Sequence, residues 1–234
     1  MRGGCELRED IVDGHPGVQR HKHRFVFIRH AQAQCNLQHA GAQIESADPE
    51  SPLTGGGEAQ AQRLAAALPD ELTGSQIFSS PMRRAVQTAH VLAQRRGLPI
   101  VLDDRLEEVR LARPLLPPLS VADWDAMLEE RLKRPGQQAK AGVETVLEQM
   151  GRVESFLRDR HASRGDEKLT LVVSHAFTIE LAILRLLGWA PAEGLASSRV
   201  RISNAALHVI ENETLGGSTR LMLVNAKNHL GTLL

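Results

Sequence analysis

The sequence predicts an α/β protein, a three-layer α/β/α sandwich with a mostly parallel central sheet. Two observations lead to this fold class. Apolar runs of strand length alternate along the chain with longer segments of helix length, a pattern typical of helices packed on a parallel sheet. The run LTLVVSH (169–175) is apolar almost throughout, as expected of a central strand whose two faces are both covered.

The N-terminal half of the chain supplies the first strands and helices of this alternation. RFVFIR (24–29) is an apolar run of strand length, and LTGGGEAQAQRLAAAL begins a helix with Thr54 as a suitable N-cap. SQIFSS predicts a second strand, followed by the helix PMRRAVQTAHVLAQRRG with Pro81 near its first turn and Gly97 past its end. LPIVLDD predicts a third strand.

The C-terminal half begins with a proline-dense connection, ARPLLPPLS. Helices are predicted after it at 121–133 and 142–161, and we expect a helical insertion or lid around 110–160. A further helix at 178–187 follows the strand LTLVVSH. SSRVRISNAALHVIE and TRLMLVNA then predict two more strands around the turn-forming NETLGGS.

The chain of 234 residues suits one large domain. We expect residues 1–23 to form a flexible N-terminal leader, because this polar stretch lacks the apolar centre of a signal peptide. The domain itself is then expected at 24–234. No apolar run approaches the roughly 20 residues that span a bilayer, so we expect no membrane association.

The charge balance and the cysteine content limit the function classes. The 28 basic and 28 acidic side chains cancel, which argues against broad nucleic-acid binding. Cys5 and Cys35 provide neither a disulfide framework nor a zinc-binding pattern. We therefore expect a cytoplasmic protein, and the sequence does not indicate its oligomeric state.

Two strongly apolar strands end in a histidine. Arg29 and His30 follow the first strand directly, and His175 ends the strand LTLVVSH. Ligands of open parallel sheets bind beyond the carboxyl ends of the strands, so His30 and His175 would share one crevice if these two strands are neighbours. The alternative, in which each histidine only caps its strand, is equally compatible with the residue pattern alone.

Five motifs occur in one order along the chain: IRHAQAQCN, LTGGGEAQA, SSPMRRAVQTA, RLEEV and VVSHA. In this order they resemble the histidine phosphatase superfamily, also called the phosphoglycerate mutase-like family, from about residue 24 to about residue 210. The resemblance implies a phosphoglycerate mutase-like fold and a histidine phosphatase domain at 24–234.

The resemblance also implies which residues form the site. The residues matching the catalytic positions are His30 as the nucleophile, Glu108 as the proton donor and His175 as the second histidine; those matching substrate-binding positions are Arg29, Asn36 and Arg84. Arg84 matches better than Arg83, because the family arginine directly precedes an alanine. Glu108 matches better than Glu107, because the family glutamate follows leucine and one spacer.

Some positions depart from the family pattern. Ala31, Ala33 and Ala176 replace the usual glycine, threonine and glycine, and VRLARPLLPPLS replaces an aromatic, glycine-rich stretch. This replacement leaves the neighbouring Glu107, or a carboxylate from the insertion, as an alternative proton donor. KAGVETVLEQMGR resembles a later family motif, in which we interpret Glu144 as structural.

The residue types are suited to phosphoryl transfer. Arginines bind phosphate through two parallel hydrogen bonds, a neutral histidine can attack phosphorus, and a carboxylic acid can protonate the leaving oxygen. The resemblance therefore implies a cofactor-independent phosphomonoester hydrolase, a histidine acid-type phosphatase that acts on a small phosphorylated metabolite through phosphohistidine, without a metal. A phosphoglycerate mutase and a non-catalytic phosphate-binding or interaction protein of the same fold remain alternatives.

Overall fold

A computed structural model describes residues 22–37, 48–112, 121–163, 169–189, 200–213, 215 and 217–231. Nearly all of the predicted leader at 1–23, and all of ARPLLPPLS except Ala112, lie outside these residues. Within them, none of the helices has the length and apolar character needed to cross a membrane.

The described strands form one six-stranded sheet. They are β1 (His23–Arg29), β2 (Ile77–Ser79), β3 (Ile100–Leu102), β4 (Leu169–Ser174), β5 (Leu207–Asn212) and β6 (Thr219–Ala226). Their order in the sheet is β3-β2-β4-β1-β5-β6. The first four strands in this order run parallel, while β5 and β6 are added antiparallel beside β1. The predicted mostly parallel sheet is confirmed, and LTLVVSH supplies its inner strand β4.

Helices cover both faces of the sheet. The helices of the described residues are α1 (Gly55–Ala67), α2 (Arg83–Arg96), α3 (Val121–Lys133), α4 (Val146–Ala162) and α5 (Ala176–Leu186). On one face, Leu64 of α1 and Leu92 of α2 pack in a cluster with Val26 of β1. On the other, Phe156 of α4 and Ile183 of α5 belong to a second buried cluster. The three-layer α/β/α sandwich is therefore confirmed.

Local sequence signals place most of the helix ends. The Thr54 side chain accepts a hydrogen bond from the N–H of Gly57 at 2.9 Å, as expected of an N-cap. Gly97 ends α2 with φ of 65°, a conformation that glycine adopts without steric cost. Pro81 directly precedes the N-cap residue Met82, so it lies near the first turn of α2 as predicted.

Helix α4 begins at Val146, four residues later than predicted. The cause is a capping box in which Thr145 and Glu148 satisfy each other's backbone N–H groups. Because Phe156 and Leu157 of α4 are fully buried against the sheet, α4 belongs to the sandwich. The predicted insertion or lid around 110–160 therefore remains a prediction for the segment that precedes α4.

Strand β5 begins at Leu207, although the predicted strand started at 197. Residues 190–199 lie outside the described part of the chain. The described residues before β5 form hydrogen bonds to the end of β1: the carbonyl of Ile202 accepts from the Arg29 side chain and the Asn204 amide donates to the carbonyl of His30. This segment is therefore held at the end of β1 and lies outside the strands of the sheet.

Gly57 allows helix α1 to approach the loop that follows β1. A Cβ atom at Gly57 would lie 1.9 Å from the backbone oxygen of Gln32, which is two residues beyond His30. A Cβ atom at Gly55, in the same helical turn, would have no neighbour within 4 Å. The loop and the helix can therefore pack closely only because residue 57 has no side chain.

We predict that Gly57→Ala lowers the free energy of unfolding by about 1–3 kcal/mol, the usual cost of overpacking. Gly55→Ala is the matched control and should change it by less than about 0.5 kcal/mol. Urea unfolding of both variants measures the difference. Equal stabilities would contradict the close approach.

Candidate active site

The neighbouring strands β1 and β4 bring the two strand-end histidines together. Arg29 pairs with Ser174 in the parallel register, and the backbone N–H of His30 donates to the Ser174 carbonyl at 2.9 Å. The ring centroids of His30 and His175 are 5.1 Å apart. The shared crevice that the strand ends predicted is therefore present.

A cavity of about 550 Å³ opens at this edge of the sheet. Its wall contains each of the six residues that the sequence identified as candidates: Arg29, His30, Asn36, Arg84, Glu108 and His175. The wall also contains residues from α3 and α5, including Leu128, Arg131 and Phe177. The structure thus brings together the six candidate side chains, which are up to 146 residues apart in the sequence, from Arg29 to His175.

Two hydrogen bonds define the tautomer of His30. Its Nδ1 lies 2.8 Å from the carbonyl oxygen of Ala31, and because a carbonyl can only accept, Nδ1 must carry the proton. The Nε–H of Arg84 points to Nε2 of His30 at 3.3 Å, so Nε2 must provide a lone pair. His30 is therefore a neutral imidazole whose Nε2 is unprotonated.

The surroundings of His30 stabilise this neutral form. The side chain is buried, and burial followed by the positive charges of Arg29 and Arg84 holds its pKa well below the usual value of 6.5. The hydrogen bond to Ala31 acts in the opposite direction but is the smallest of these effects. Nε2 of His30 is therefore available as a nucleophile at neutral pH.

The two arginines differ in how they are held. Arg84 is buried and donates to the Asp48 carbonyl at 2.9 Å in addition to His30. Arg29 donates through Nη1 to the carbonyl of Ile202 at 2.7 Å, while its Nε is buried with no hydrogen-bond partner among the described residues. The Arg84 guanidinium therefore lies beside Nε2 of His30, and Arg29 adds a second guanidinium to the same cavity wall, which suits a doubly charged phosphate.

His175 is the second buried histidine of the pocket. It occupies the N-cap position of α5, and its Nε2 lies 2.8 Å from the hydroxyl oxygen of Ser80. Burial, with smaller effects from Arg84 and His30, holds its pKa well below the usual value. Its Nδ1 is buried and has no hydrogen-bond partner within the described ranges.

Glu108 is held against the first turn of α5. Its Oε2 accepts from the backbone N–H of Phe177 at 3.1 Å, and its Oε1 accepts from the Gln149 amide at 3.2 Å. Arg152 supports this loop, because its guanidinium donates to the carbonyl of Glu108 at 2.9 Å and pairs with the Glu144 carboxylate at 2.7 Å. The interpretation of Glu144 as structural agrees with this ion pair.

Asn36 closes the loop that follows β1. Its Oδ1 accepts from the backbone N–H of Ala33 at 3.0 Å and from the amide of Asn204 at 3.1 Å. The Asn204 amide also donates to the His30 carbonyl at 3.0 Å. Asn36 and Asn204 therefore connect this loop to the segment before β5, and Asn36 remains on the cavity wall.

Sequence reasoning missed several polar residues of this site. They are Ser80, Arg131, Gln149, Thr178 and Asn204, which contact site residues or line the cavity. Ser80 stands inside the motif SSPMRRAVQTA and could have been found there. Gln149 stands inside KAGVETVLEQMGR, and the other three come from helices and loops without a motif of their own. Within the described residues, no three His, Cys, Asp or Glu side chains are grouped so that they could hold a metal ion.

The fold and the pocket define a class: an α/β/α protein with a histidine and arginine pocket at the carboxyl ends of its parallel strands. Residues 25–226 match the histidine phosphatase superfamily (branch 1). The chain therefore belongs to the histidine phosphatase superfamily, and the family predicted from the five motifs is confirmed.

Individual relatives agree with this assignment. The chain is 36% identical over 211 residues to the 5''-phosphoribostamycin phosphatase of Niallia circulans, covering 89% of this chain and 99% of that protein. It is 29% identical over 192 residues to a protein of Escherichia coli named "Probable phosphoglycerate mutase GpmB", covering 79% and 82%. The solved structure of a mycobacterial glucosyl-3-phosphoglycerate phosphatase has the same fold, with a TM-score of 0.71, 23% identity and coverage of 88% and 99%.

We predict that neither His30 nor His175 takes up a proton between about pH 7 and pH 6, because burial and the nearby arginines lower both pKa values. Histidine ring NMR signals, recorded against pH, measure this directly. The same signals in urea-unfolded protein should titrate near 6.5.

Between about pH 7 and pH 6, His30 and His175 therefore bind protons in the unfolded chain but not in the folded chain. The free energy of unfolding should therefore fall as the pH decreases below about 6.5. Titration of His30 near 6.5 in the folded protein would contradict the assigned tautomer and its electrostatic cause.

Proposed function

We propose that this protein is a cofactor-independent phosphomonoester hydrolase that acts on small phosphorylated molecules through a phosphohistidine at His30. The observation that carries the proposal is the arrangement around His30. Its Nδ1 proton is held by Ala31 while its unprotonated Nε2 faces the Arg84 guanidinium. Similarity to a protein named as a phosphatase over 89% of the chain supports the same activity.

In the first step, Nε2 of His30 attacks phosphorus and the bond to the bridging oxygen breaks. Arg29 and Arg84 bind the phosphoryl oxygens and offset the charge that would repel the nucleophile. The Nδ1–H bond to the Ala31 carbonyl stabilises the positive charge that develops on the ring. Glu108, on the same cavity wall, gives a proton to the departing oxygen.

In the second step, a water molecule attacks the phosphorus of phosphohistidine. Glu108, now a carboxylate, takes a proton from this water, and the bond between phosphorus and Nε2 breaks. Inorganic phosphate leaves, and His30 returns to its neutral tautomer. His175 lies 5.1 Å from His30 between ring centroids, and we assign it to hydrogen bonding with the phosphoryl oxygens in both steps.

The enzyme would work in mildly acidic solution and in a reducing compartment. His30 stays neutral at pH values below the usual histidine pKa, which supports the acid-type subclass. The described Cys35 is a buried free thiol, which is the common state of cysteines in the cytoplasm. We therefore propose a cytoplasmic acid-type histidine phosphatase.

A phosphoglycerate mutase is the second candidate, favoured by the similarity to the Escherichia coli protein named for that activity. The reactions differ in the fate of the phosphohistidine, which a mutase returns to the organic product and a phosphatase passes to water. Isomerisation of 3-phosphoglycerate, measured alongside phosphate release, separates the two.

We predict that Glu108→Gln slows phosphate release from an alkyl phosphate by roughly 10²- to 10⁴-fold, the range of a lost general acid. An aryl phosphate with an activated phenolate leaving group should slow less, because phenolate leaves without a proton. Steady-state kinetics on both substrates measure the difference.

Glu107→Gln is the matched control, because Glu107 pairs with Arg110 at 2.7 Å and is absent from the cavity wall. Equal slowing of both substrates by Glu108→Gln would show that Glu108 only positions the site. If the wild-type protein releases phosphate from neither substrate, the proposed activity itself is wrong.

A further inference from the structure

Two residues other than glycine have a left-handed backbone in the part of the chain that the structure describes. They are Ala205, with φ of 53°, and Asn225, with φ of 51°. This conformation is costly for a residue with a Cβ atom, and it persists only where the surrounding structure enforces it. Ala205 contacts the end of β1, and Asn225 contacts the segment that contains Ala205. Both strained residues therefore lie behind the candidate active site.

Asn225 lies in a bulge near the end of β6. The register of the ladder with β5 shifts there, so Val224 and Asn225 of β6 together stand opposite the single residue His208. A bulge of this kind leaves an extra residue outside the regular ladder. Here the backbone N–H of Asn225 donates to Nδ1 of His208 at 3.2 Å.

His208 acts as the acceptor in this contact. Its side chain is fully buried, and burial lowers its pKa to about 4, so the ring is neutral at neutral pH. Because Nδ1 accepts, the proton must be on Nε2, which is buried and has no hydrogen-bond partner among the described residues. A buried N–H without an acceptor costs stability. Stability alone therefore does not explain a histidine at this position.

Asn225 also contacts the segment before β5. Its side-chain Oδ1 accepts from the backbone N–H of Ser203 at 2.8 Å. Ser203 begins a turn that closes where the N–H of Ala206 donates to the Ser203 carbonyl at 3.1 Å. Within this turn, the left-handed Ala205 donates its N–H to the carbonyl of Arg29 at 3.1 Å. The turn is thus held by β6 on one side and by β1 on the other.

One peptide group connects Asn225 to the Arg29 side chain. The carbonyl of Ile202 accepts from Nη1 of Arg29 at 2.7 Å, and this carbonyl belongs to the same planar peptide group as the N–H of Ser203. A hydrogen bond that fixes the Ser203 N–H therefore also fixes the direction of the Ile202 carbonyl. Arg29 and Ile202 line the cavity, whereas Asn225 and His208 do not.

We propose that Asn225, oriented by His208, is a positioning residue for Arg29. The Asn225 side chain fixes the peptide group 202–203, and the carbonyl of this group holds the Arg29 guanidinium in the orientation that binds the phosphoryl oxygens. The inference rests on the proposed function, in which Arg29 binds the phosphate. Asn225 and His208 do not touch the substrate in this account, and they act only through Arg29.

The first experiment removes the Asn225 side chain and keeps its backbone conformation. Glycine adopts a φ near 51° without steric cost, so Asn225→Gly should fold and lose the Oδ1 acceptor, while Asn225→Asp keeps an acceptor oxygen. Calorimetric titration with inorganic phosphate measures the site without turnover. We expect Asn225→Gly to raise the Kd for phosphate by roughly 3- to 10-fold, the range of one neutral hydrogen bond. Asn225→Asp should raise the Kd less.

The second experiment tests the contribution of His208. His208→Leu removes the acceptor of the Asn225 N–H, whereas His208→Asn places an oxygen close to the position of Nδ1. We expect His208→Leu to weaken phosphate binding and His208→Asn to restore it. Thr219→Val is the matched control at the other end of the same ladder, where Thr219 bonds to Asn212 at 2.7 Å. This control should lower the free energy of unfolding and leave the phosphate Kd unchanged.

A double-mutant cycle with Arg29→Met shows whether Asn225 acts through Arg29. In the Arg29→Met background, Asn225→Gly should cause no further loss of phosphate affinity. Three results would overturn the inference: an unchanged Kd in Asn225→Gly, the same loss of affinity with and without Arg29, or an equal loss in Thr219→Val. If Arg29→Met binds no phosphate, ¹⁵N NMR relaxation of the Arg29 Nε signal decides, because Asn225→Gly should increase its motion and equal motion would contradict the positioning role.

The binding measurements separate this inference from the proposed hydrolase. Weaker phosphate binding in Asn225→Gly, without phosphate release from any ester by the wild-type protein, supports the positioning role and contradicts the hydrolase. Hydrolysis of phenyl phosphate with the same kcat/KM in the wild-type protein and in Asn225→Gly contradicts the positioning role alone. A wild-type protein that binds no phosphate contradicts both.

Discussion

The hydrogen bond between Nδ1–H of His30 and the Ala31 carbonyl is the constraint on which the chemistry of this protein depends. It leaves Nε2 as the lone-pair nitrogen, and the Arg84 guanidinium then faces that nitrogen. Burial among positive charges prevents protonation of the imidazole. Keeping the imidazole neutral in this way lowers the free energy of unfolding. The same positive charges favour a phosphate dianion in the cavity. In the proposed mechanism, one local arrangement therefore prepares both the nucleophile and the site that binds phosphate.

The sheet topology provides this arrangement with rigid support. Strands β1 and β4 are parallel neighbours near the middle of the sheet, so the loops after them begin at the same edge. Helix α5 starts directly after His175 and presents the Phe177 N–H to Glu108. On the opposite face, Gly57 allows α1 to contact the loop after His30. Each candidate catalytic group is thus connected to an element whose own position is determined by core packing.

The sequence predicts those features of the fold and the site that depend on local sequence pattern and on strand order. The sandwich, the parallel centre of the sheet and the proximity of His30 to His175 follow from apolar runs and strand ends. The start of α4 was misplaced although Thr145 and Glu148 carry a readable capping signal. The burial of Arg131 could not be predicted, because a charged residue in a helical segment normally faces solvent. Only the packing of α3 over Phe177 shows that this arginine is buried.

The most direct test of this account is to trap the enzyme during turnover and locate the phosphoryl group. The protein is mixed with a phosphomonoester, quenched within milliseconds in alkali, which preserves phosphorus–nitrogen bonds, and analysed by ³¹P NMR and peptide mass spectrometry. We expect phosphate on Nε2 of His30, and none on His30→Ala. Phosphate on Nδ1 of His30 or on His175, or phosphate release without any phosphorylated histidine, would contradict the assignment of His30 Nε2 as the nucleophile.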